Sequence, residues 1–241
     1  VYKRQDIAGG MGRLSLRMPA GDIRSFCSRG ALTASNYFLS AMLQLLHRLT
    51  REKTIQITTV NNGRSDMRLL PTTGMYVKTL PVVSRCDRPA ASPLEFARDI
   101  QQQFLTTQDY DFYPFTSLVE KFGVRPEIMY VYEGGISLNG DDTTPLRLEP
   151  IELKLDTAKV PLTLLVFEPD ASEYELTLEY DTSVYSRKDM ELLLRMMRTL
   201  SVSLADASTV ADGVMTDDAQ EAQLAKIRDC LLYTSPSPRD A

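Results

Sequence analysis

The chain has 241 residues, of which 43% are hydrophobic and 24% are charged, and its formal net charge is −5. This length suits one large domain or two small ones, and the negative charge does not favour binding to nucleic acid or to an anionic membrane. No stretch approaches the roughly 20 apolar residues that cross a bilayer, and no signal-peptide pattern opens the chain. We therefore expect a cytoplasmic protein that binds neither nucleic acid nor membrane.

Cysteine and histidine usage argues against several kinds of site. Cys27, Cys86 and Cys230 are far apart and lack CxxC spacing, so the sequence predicts neither a disulfide framework nor a zinc site. The single histidine, His47, follows an amphipathic pattern that begins at the candidate cap Thr33. We expect it near a helix C-terminus, where a protonated imidazole interacts favourably with the helix dipole. No Ser-His-Asp arrangement surrounds it.

Alternation and helical periodicity predict both strands and helices. Two strands that flank the turn "PDAS" are expected to form a hairpin, and helices separate most of the others, so we predict an α/β fold with a mixed sheet and flanking helices. The predicted strands are 13–19, 54–60, 72–86, 127–133, 146–155, 161–168 and 174–181, and Pro81 is expected to cut the third of these short. The predicted helices are 22–28, 33–49, 92–108, 116–122, 186–204 and one that begins at 217.

Three helices begin with recognisable caps, and a polar segment follows the last long helix. Ser92 and Glu95 have the spacing of a capping box with Pro93 at the first helical position, and Ser186 precedes the last long helix. Residues 206–229 are predicted to be a linker that ends one domain.

Two motifs carry a family resemblance. "GMYVKTL" is similar to the pattern (I/V)GxFVNT(L/Q), with Tyr76 in place of phenylalanine and Lys78 in place of asparagine. "QDYDFYPF" approximates the pattern (H/N)QDYPFE. Asp109 matches its first half and Pro114 and Phe115 its second, with extra residues between the halves.

A third pattern, RDxSRNPL, is vestigial in "FGVRPEIMYVYEG", where Pro126 fits but Arg125 replaces the asparagine. With these motifs in this order, residues 13–205 resemble the C-terminal lobe of the condensation domain of nonribosomal peptide synthetases, a relative of chloramphenicol acetyltransferase. The resemblance implies a chloramphenicol acetyltransferase-like lobe.

The resemblance also implies a function and partners. Such a domain joins a donor acyl or peptidyl thioester to an acceptor aminoacyl thioester by forming an amide bond. Its two lobes enclose a tunnel for the 4'-phosphopantetheine arms of donor and acceptor peptidyl carrier proteins. The implied partners are therefore the N-terminal lobe, the two carrier proteins and an adenylation domain after the linker. The lobe itself is expected to bind no cofactor.

By the same resemblance, five residues are expected at the lobe junction or in the tunnel wall: Gly74, Tyr76, Lys78, Thr79 and Arg125. Plainer roles are open for three of them. Lys78 could be a solvated charge that protects an edge strand, Thr79 a strand former and Gly74 a turn residue.

Arg64, in "NNGR", is expected to pair with an aspartate of the family's catalytic motif, with a turn cap as the alternative. Pro114 and Phe115 are expected to be core and turn residues, and Asp109 a structural part of its motif. A partly apolar face that packs against the missing lobe is expected at residues 75–77 and 128–132.

The family's catalytic motif, HHxxxDG, is absent from the sequence. We therefore expect no catalytic residue in this lobe and no activity of the chain alone. Residues 1–12 are expected to be a leader, and "VYKRQ" (1–5) and the tail 230–241 resemble translated sequencing-adapter readthrough and are expected to be non-native. Two other functions stay open: a condensation-like docking platform without catalysis, and a coenzyme A-dependent acyltransferase.

Overall fold

The computed structural model describes residues 10–64, 66–134 and 157–217. The strands are β1 (Met11–Pro19), β2 (Thr54–Asn61), β3 (Lys78–Arg85), β4 (Ile128–Glu133), β5 (Leu162–Phe167) and β6 (Glu173–Asp181). The α-helices are α1 (Gly21–Gly30), α2 (Ala34–Thr50), α3 (Pro93–Asp109), α4 (Phe115–Phe122) and α5 (Arg187–Asp206), with short 3-10 turns at Met67–Leu69 and Val210–Asp212. The predicted strand 146–155, Cys230 and the predicted helix beyond residue 217 lie outside the described residues.

The strands form one six-stranded sheet in the order β1-β6-β5-β4-β2-β3. The pairs β1/β6, β5/β6 and β2/β3 are antiparallel, whereas β4 is parallel to both β2 and β5. The hairpin across "PDAS" is present as β5/β6. The predicted mixed sheet with flanking helices is thus confirmed, with β1 and β3 as its edges among the described strands.

One face of the sheet packs against helices and the other carries polar pairs. Side chains of a strand alternate between faces, and in β6 the inward set is fully buried: Tyr174, Leu176, Leu178 and Tyr180. On the opposite face, Arg17 of β1 pairs with Glu175 of β6 at 3.1 Å. This alternation fixes the register, because a slip of one residue would bury the charges.

Helix α2 is the centre of the core. Every residue from Asn36 to Leu46 is buried, and the helix packs between α3 and α5 on the sheet. The Phe38 ring meets the Tyr174 ring edge-on with centroids 4.9 Å apart. The Tyr37 hydroxyl donates to the Ser201 carbonyl at 2.5 Å. Burial of a whole helix around its circumference makes α2 the element on which the packing depends most.

The predicted caps are present with one correction. The hydroxyls of Thr33, Ser92 and Ser186 each accept from a backbone N–H of the first turn. The capping box at Ser92 is only half formed, because the Glu95 carboxylate pairs with Arg88 at 3.0 Å instead. Competition from a nearby guanidinium explains this difference.

Strand β3 is shorter than predicted at its start. It begins at Lys78, whereas residues 72–77 are irregular. The carbonyls of Thr72 and Gly74 accept hydrogen bonds from an arginine side chain, so they do not enter the ladder. Pro81 lies inside β3 and does not end it, because β3 is an edge strand, where a sheet tolerates proline.

The start of the segment predicted as a linker packs against the body. Val210 is buried, its N–H donates to the Ala91 carbonyl at 2.7 Å, and the Arg48 guanidinium donates to the carbonyls of Val210 and Gly213. Residues 207–217 therefore belong structurally to the lobe, because the buried Val210 and the half-buried guanidinium of Arg48 fasten them. Within the described ranges, no helix is long and apolar enough to cross a membrane.

Candidate functional site

The connection between β2 and β3, described at 62–64 and 66–77 and here called the β2–β3 loop, is held by one arginine. The Arg64 guanidinium donates to the carbonyls of Leu69, Thr72 (2.8 Å) and Gly74 (3.4 Å). It also lies 4.6 Å from the centroid of the Tyr76 ring, a cation–π contact. A planar fork with five donors suits this task. The loop is thereby pre-organised around Arg64.

Gly63 is required by the same arrangement. Its φ is +66°, in the left-handed region that glycine adopts without steric cost. A Cβ atom there would lie 1.9 Å from the Tyr76 carbonyl oxygen. The turn "NNGR" thus brings the start of the loop against its end, and any side chain at position 63 would push the two apart.

Lys78 forms an ion pair with a carboxylate of another element. Its Nζ donates to Asp111 Oδ1 at 2.9 Å, and Asn61 Nδ2 donates to Asp111 Oδ2 at 3.3 Å. The Asp111 side chain is only 8% exposed, compared with 36% for Lys78. The Lys78 ammonium compensates a nearly buried carboxylate, and we call Asn61, Lys78 and Asp111 the carboxylate staple.

The staple joins the two motifs that carried the resemblance. Lys78 belongs to "GMYVKTL", and Asp111 lies among the extra residues of "QDYDFYPF". Asp111 was not among the residues predicted for the site. A signal was present, since Lys78 shares the inward face of β3 with Leu80 and Val82, and a lysine in such a place needs a counter-ion.

Large apolar side chains are exposed around this region. Met75 and Val77 of the β2–β3 loop are 89% and 58% exposed, and Phe112 of the α3–α4 connection is 71% exposed. Of the face predicted at 128–132, only Met129 and Val131 point away from the helices, because Ile128, Tyr130 and Tyr132 face the core. That part of the prediction is corrected by the alternation of β4.

A groove runs along the outer edge of β3 beside α3. It consists of two adjoining depressions of about 600 Å³ and about 320 Å³ that share Pro81, Thr106 and Thr107. The smaller one is also lined by Thr79 and by aromatic residues of the α3–α4 connection. Thr79 therefore lies next to an apolar concave surface.

The other residues predicted for the site do not belong to the carboxylate staple. Tyr76 is half-buried against Arg64, whereas Arg125 is exposed in the connection from α4 to β4, and Asp109 is exposed at the end of α3. Pro114 is exposed as the N-cap residue of α4, while Phe115, the first residue of that helix, is partly buried. Arg64, Gly74 and Tyr76 are brought together, and Arg125 lies on a separate connection.

The titratable groups offer little chemistry within the described residues. No cluster of three or more His, Cys, Asp or Glu side chains there could hold a metal ion. His47 lies in the last turn of α2 as expected, with Nδ1 2.6 Å from the Glu52 carbonyl oxygen. Burial raises the pKa of the Cys27 thiol to about 11 and that of Cys86 to about 12.

Both buried thiols should therefore be inert in the folded protein. A raised pKa keeps the thiol protonated at pH 8, and the thiolate is the reactive form. We expect Cys27 and Cys86 to react with Ellman's reagent at least about 10²-fold more slowly than after unfolding in guanidinium chloride. Peptide mapping by mass spectrometry assigns the label to each position, and prompt labelling of either cysteine in the native chain would contradict the expectation.

The comparisons with known proteins agree with this fold and these motifs. The family model described as "Condensation domain" matches residues 13–225. The chain belongs to the condensation-domain family. This confirms the resemblance drawn from the sequence.

Individual relatives of this condensation-domain chain are distant and much longer. Tyrocidine synthase 2 from Brevibacillus parabrevis is 26% identical over 210 residues, which are 80% of this chain and 6% of that protein. A four-domain nonribosomal peptide synthetase bound to AMP and glycine superposes with a TM-score of 0.73 at 18% identity, over 87% of this chain and 18% of that one. The X-domain in its complex with OxyB from teicoplanin biosynthesis gives a TM-score of 0.70 at 16% identity, over 86% of this chain and 49% of that chain.

Proposed function

We propose that this condensation-domain lobe is the C-terminal half of a catalyst that forms amide bonds between thioesters carried on partner proteins. The observation that carries the proposal is the ion pair of 2.9 Å between Lys78 and Asp111, because it joins the two family motifs on one edge of the lobe. The match of the family model over residues 13–225 supports it.

In this proposal the lobe positions the two thioesters more than it activates either of them. The acceptor amine attacks the donor thioester carbonyl, the C–N bond forms, the C–S bond breaks, and the thiol of the donor arm leaves with a proton from the amine. Holding the two thioesters together supplies much of the rate enhancement. The lobe's contribution in this proposal is a rigid wall, made by the β2–β3 loop, Lys78 and Thr79, along which the 4'-phosphopantetheine arms of the donor and acceptor carrier proteins lie.

Arg64 has two roles in this proposal. It organises the β2–β3 loop within the lobe, and its guanidinium, placed at the junction, pairs with the aspartate of an HHxxxDG motif on the partner lobe. The second role stays a prediction. The five donors of a guanidinium allow one arginine to bind loop carbonyls and a carboxylate together.

The remaining partners follow from the same proposal. An adenylation domain follows the lobe in the complete protein, after the linker predicted at residues 206–229. The exposed Met75 and Val77 contact the N-terminal lobe, because exposed apolar groups at a family motif are better explained by an interface than by solvent.

Mixing the chain with its partner lobe tests the proposal. We expect the half-domain with the HHxxxDG motif, cloned from the same reading frame, to bind the chain and to suppress any self-association seen by sedimentation velocity at several concentrations. Met75→Ser combined with Val77→Ser should weaken this binding at least about tenfold, since hot spots at interfaces are buried apolar groups.

Leu192→Ser is the matched control, because Leu192 is 40% exposed on α5, and it should leave the affinity unchanged. Two outcomes count against the proposal. One is a strictly monomeric chain with no affinity for the partner lobe, and the other is a reading frame that encodes no HHxxxDG half.

A docking platform without catalysis is the second candidate. It is favoured by the vestigial third motif, where Arg125 replaces an asparagine, and by the similar fold of the X-domain that was solved in complex with OxyB. The partner lobe separates the two candidates, since an intact HHxxxDG motif supports catalysis and a broken one supports docking.

A further inference from the structure

The carboxylate staple lies at the base of the β2–β3 loop. Asn61 and Lys78 face each other as the last residue pair of the β2/β3 ladder. Asp111 comes from another element, the connection between α3 and α4, and its two oxygens bond one to each member of that pair. One carboxylate therefore spans both stems of the loop.

Because Asp111 is nearly buried, its carboxylate depends on these two partners. With 8% of its side chain exposed, the carboxylate has little water to replace a lost partner. Hydrogen bonds between a cation and a carboxylate are among the stronger ones in proteins, and a buried charge without its partner is costly. The two stems and the α3–α4 connection are thus held in one relative position.

The loop has a second fastening with a different effect. Arg64 binds carbonyls of the loop itself and the Tyr76 ring, so it maintains the internal shape of the loop. Asp111 instead joins the loop to the segment that carries Phe112 and Tyr110. Loss of Asp111 would release the loop at its base, so its internal bonds would open more often and its orientation relative to these aromatic residues would no longer be held.

We infer that Asp111 is a positioning residue, which orients the β2–β3 loop so that the exposed Met75 and Val77 and the aromatic α3–α4 connection form one continuous surface. The orientation of the loop follows from the staple alone. The identity of the partner that this surface contacts rests on the proposed function.

Hydrogen exchange of the chain tests the inference. The N–H groups of Leu69, Leu70 and Thr72 are hydrogen-bonded inside the loop and report its order. In Asp111→Asn we expect the exchange of these amides to become at least about tenfold faster, the change that corresponds to losing one charge-assisted hydrogen bond. Amides of β1, β5 and β6 should keep their protection factors.

Two further variants make the experiment specific. Asp87→Asn removes the exposed ion pair with Arg85 at the other end of β3 and should leave the loop amides unchanged. Asn61→Ser removes only the 3.3 Å arm of the staple and should give a smaller acceleration, which keeps the test available if Asp111→Asn does not fold.

Each outcome decides the inference. Faster exchange confined to the loop supports a positioning role. Unchanged loop amides overturn it, and so does faster exchange throughout the sheet, since Asp111 would then act on global stability. If the loop loosens while affinity for the partner lobe is unaltered, the inference stands and the proposed contact of the lobes is contradicted.

Discussion

Phe38→Ala is expected to lower the free energy of unfolding by about 3–5 kcal/mol, the usual cost of truncating a buried aromatic residue. Phe38 is fully buried in α2 and packs edge-on against both Tyr37 and Tyr174. Removing its ring takes away contacts with Tyr174 of the sheet and with the adjacent Tyr37, and the close-packed surroundings collapse only partly into the cavity.

The effect should be visible in a thermal melt followed by circular dichroism. A domain of this size loses roughly 2–4 °C in Tm for each kcal/mol, so a decrease of roughly 6–20 °C is expected. Leu49→Ala is the matched control, since Leu49 is in the same helix and 44% exposed, and it should cost less than about 1 kcal/mol. Equal losses in the two variants would contradict the assignment of α2 as the centre of the core.

The elements that sequence alone predicts well are those with complete local signals. The helices capped by Thr33 and Ser186 begin where their caps indicate, because a cap and a periodic apolar stripe act within a few residues. Likewise, the β5/β6 hairpin follows from two alternating runs around a turn. Such local signals do not depend on what the rest of the chain does.

The start of β3 shows where local signals fail. Residues 72–77 alternate like a strand, but the bonds from Arg64 to Thr72 and Gly74 take the backbone out of the ladder. A side-chain N–H that donates to a backbone carbonyl competes with the hydrogen bond which that carbonyl would accept in a sheet. Which carbonyls Arg64 reaches depends on the turn at Gly63, and a propensity argument does not include that geometry.

The motifs of the candidate site were predictable from the sequence, whereas the side-chain contacts that join them were not. Lys78 was singled out by its apolar neighbours, yet its partner Asp111 is 33 positions away in the sequence. Only the packing of α3 against the sheet brings the two together. The same holds for residues 207–217, whose polar composition indicates a linker although Arg48 fastens them to α2.

The largest functional effect is expected from the partner lobe. With donor and acceptor carrier proteins loaded as thioesters, the chain alone should form dipeptidyl thioester no faster than the reaction without enzyme. The chain contains one histidine, His47, which is engaged at a helix end, and its sequence lacks the HHxxxDG motif that would take the proton of the amine.

Adding the half-domain with the HHxxxDG motif should restore amide formation. General acid–base catalysis typically contributes about 10²–10⁴-fold, so replacing the second histidine of that motif with alanine should remove at least about 10²-fold while the two halves still bind. This difference separates catalysis from assembly, since binding is measured independently by sedimentation. Dipeptidyl thioester formed by the chain alone above background would overturn the two-lobe assignment. Restored binding without restored amide formation would instead favour the docking platform, because the lobe would then be an interaction surface whose loop, staple and exposed apolar groups serve recognition alone.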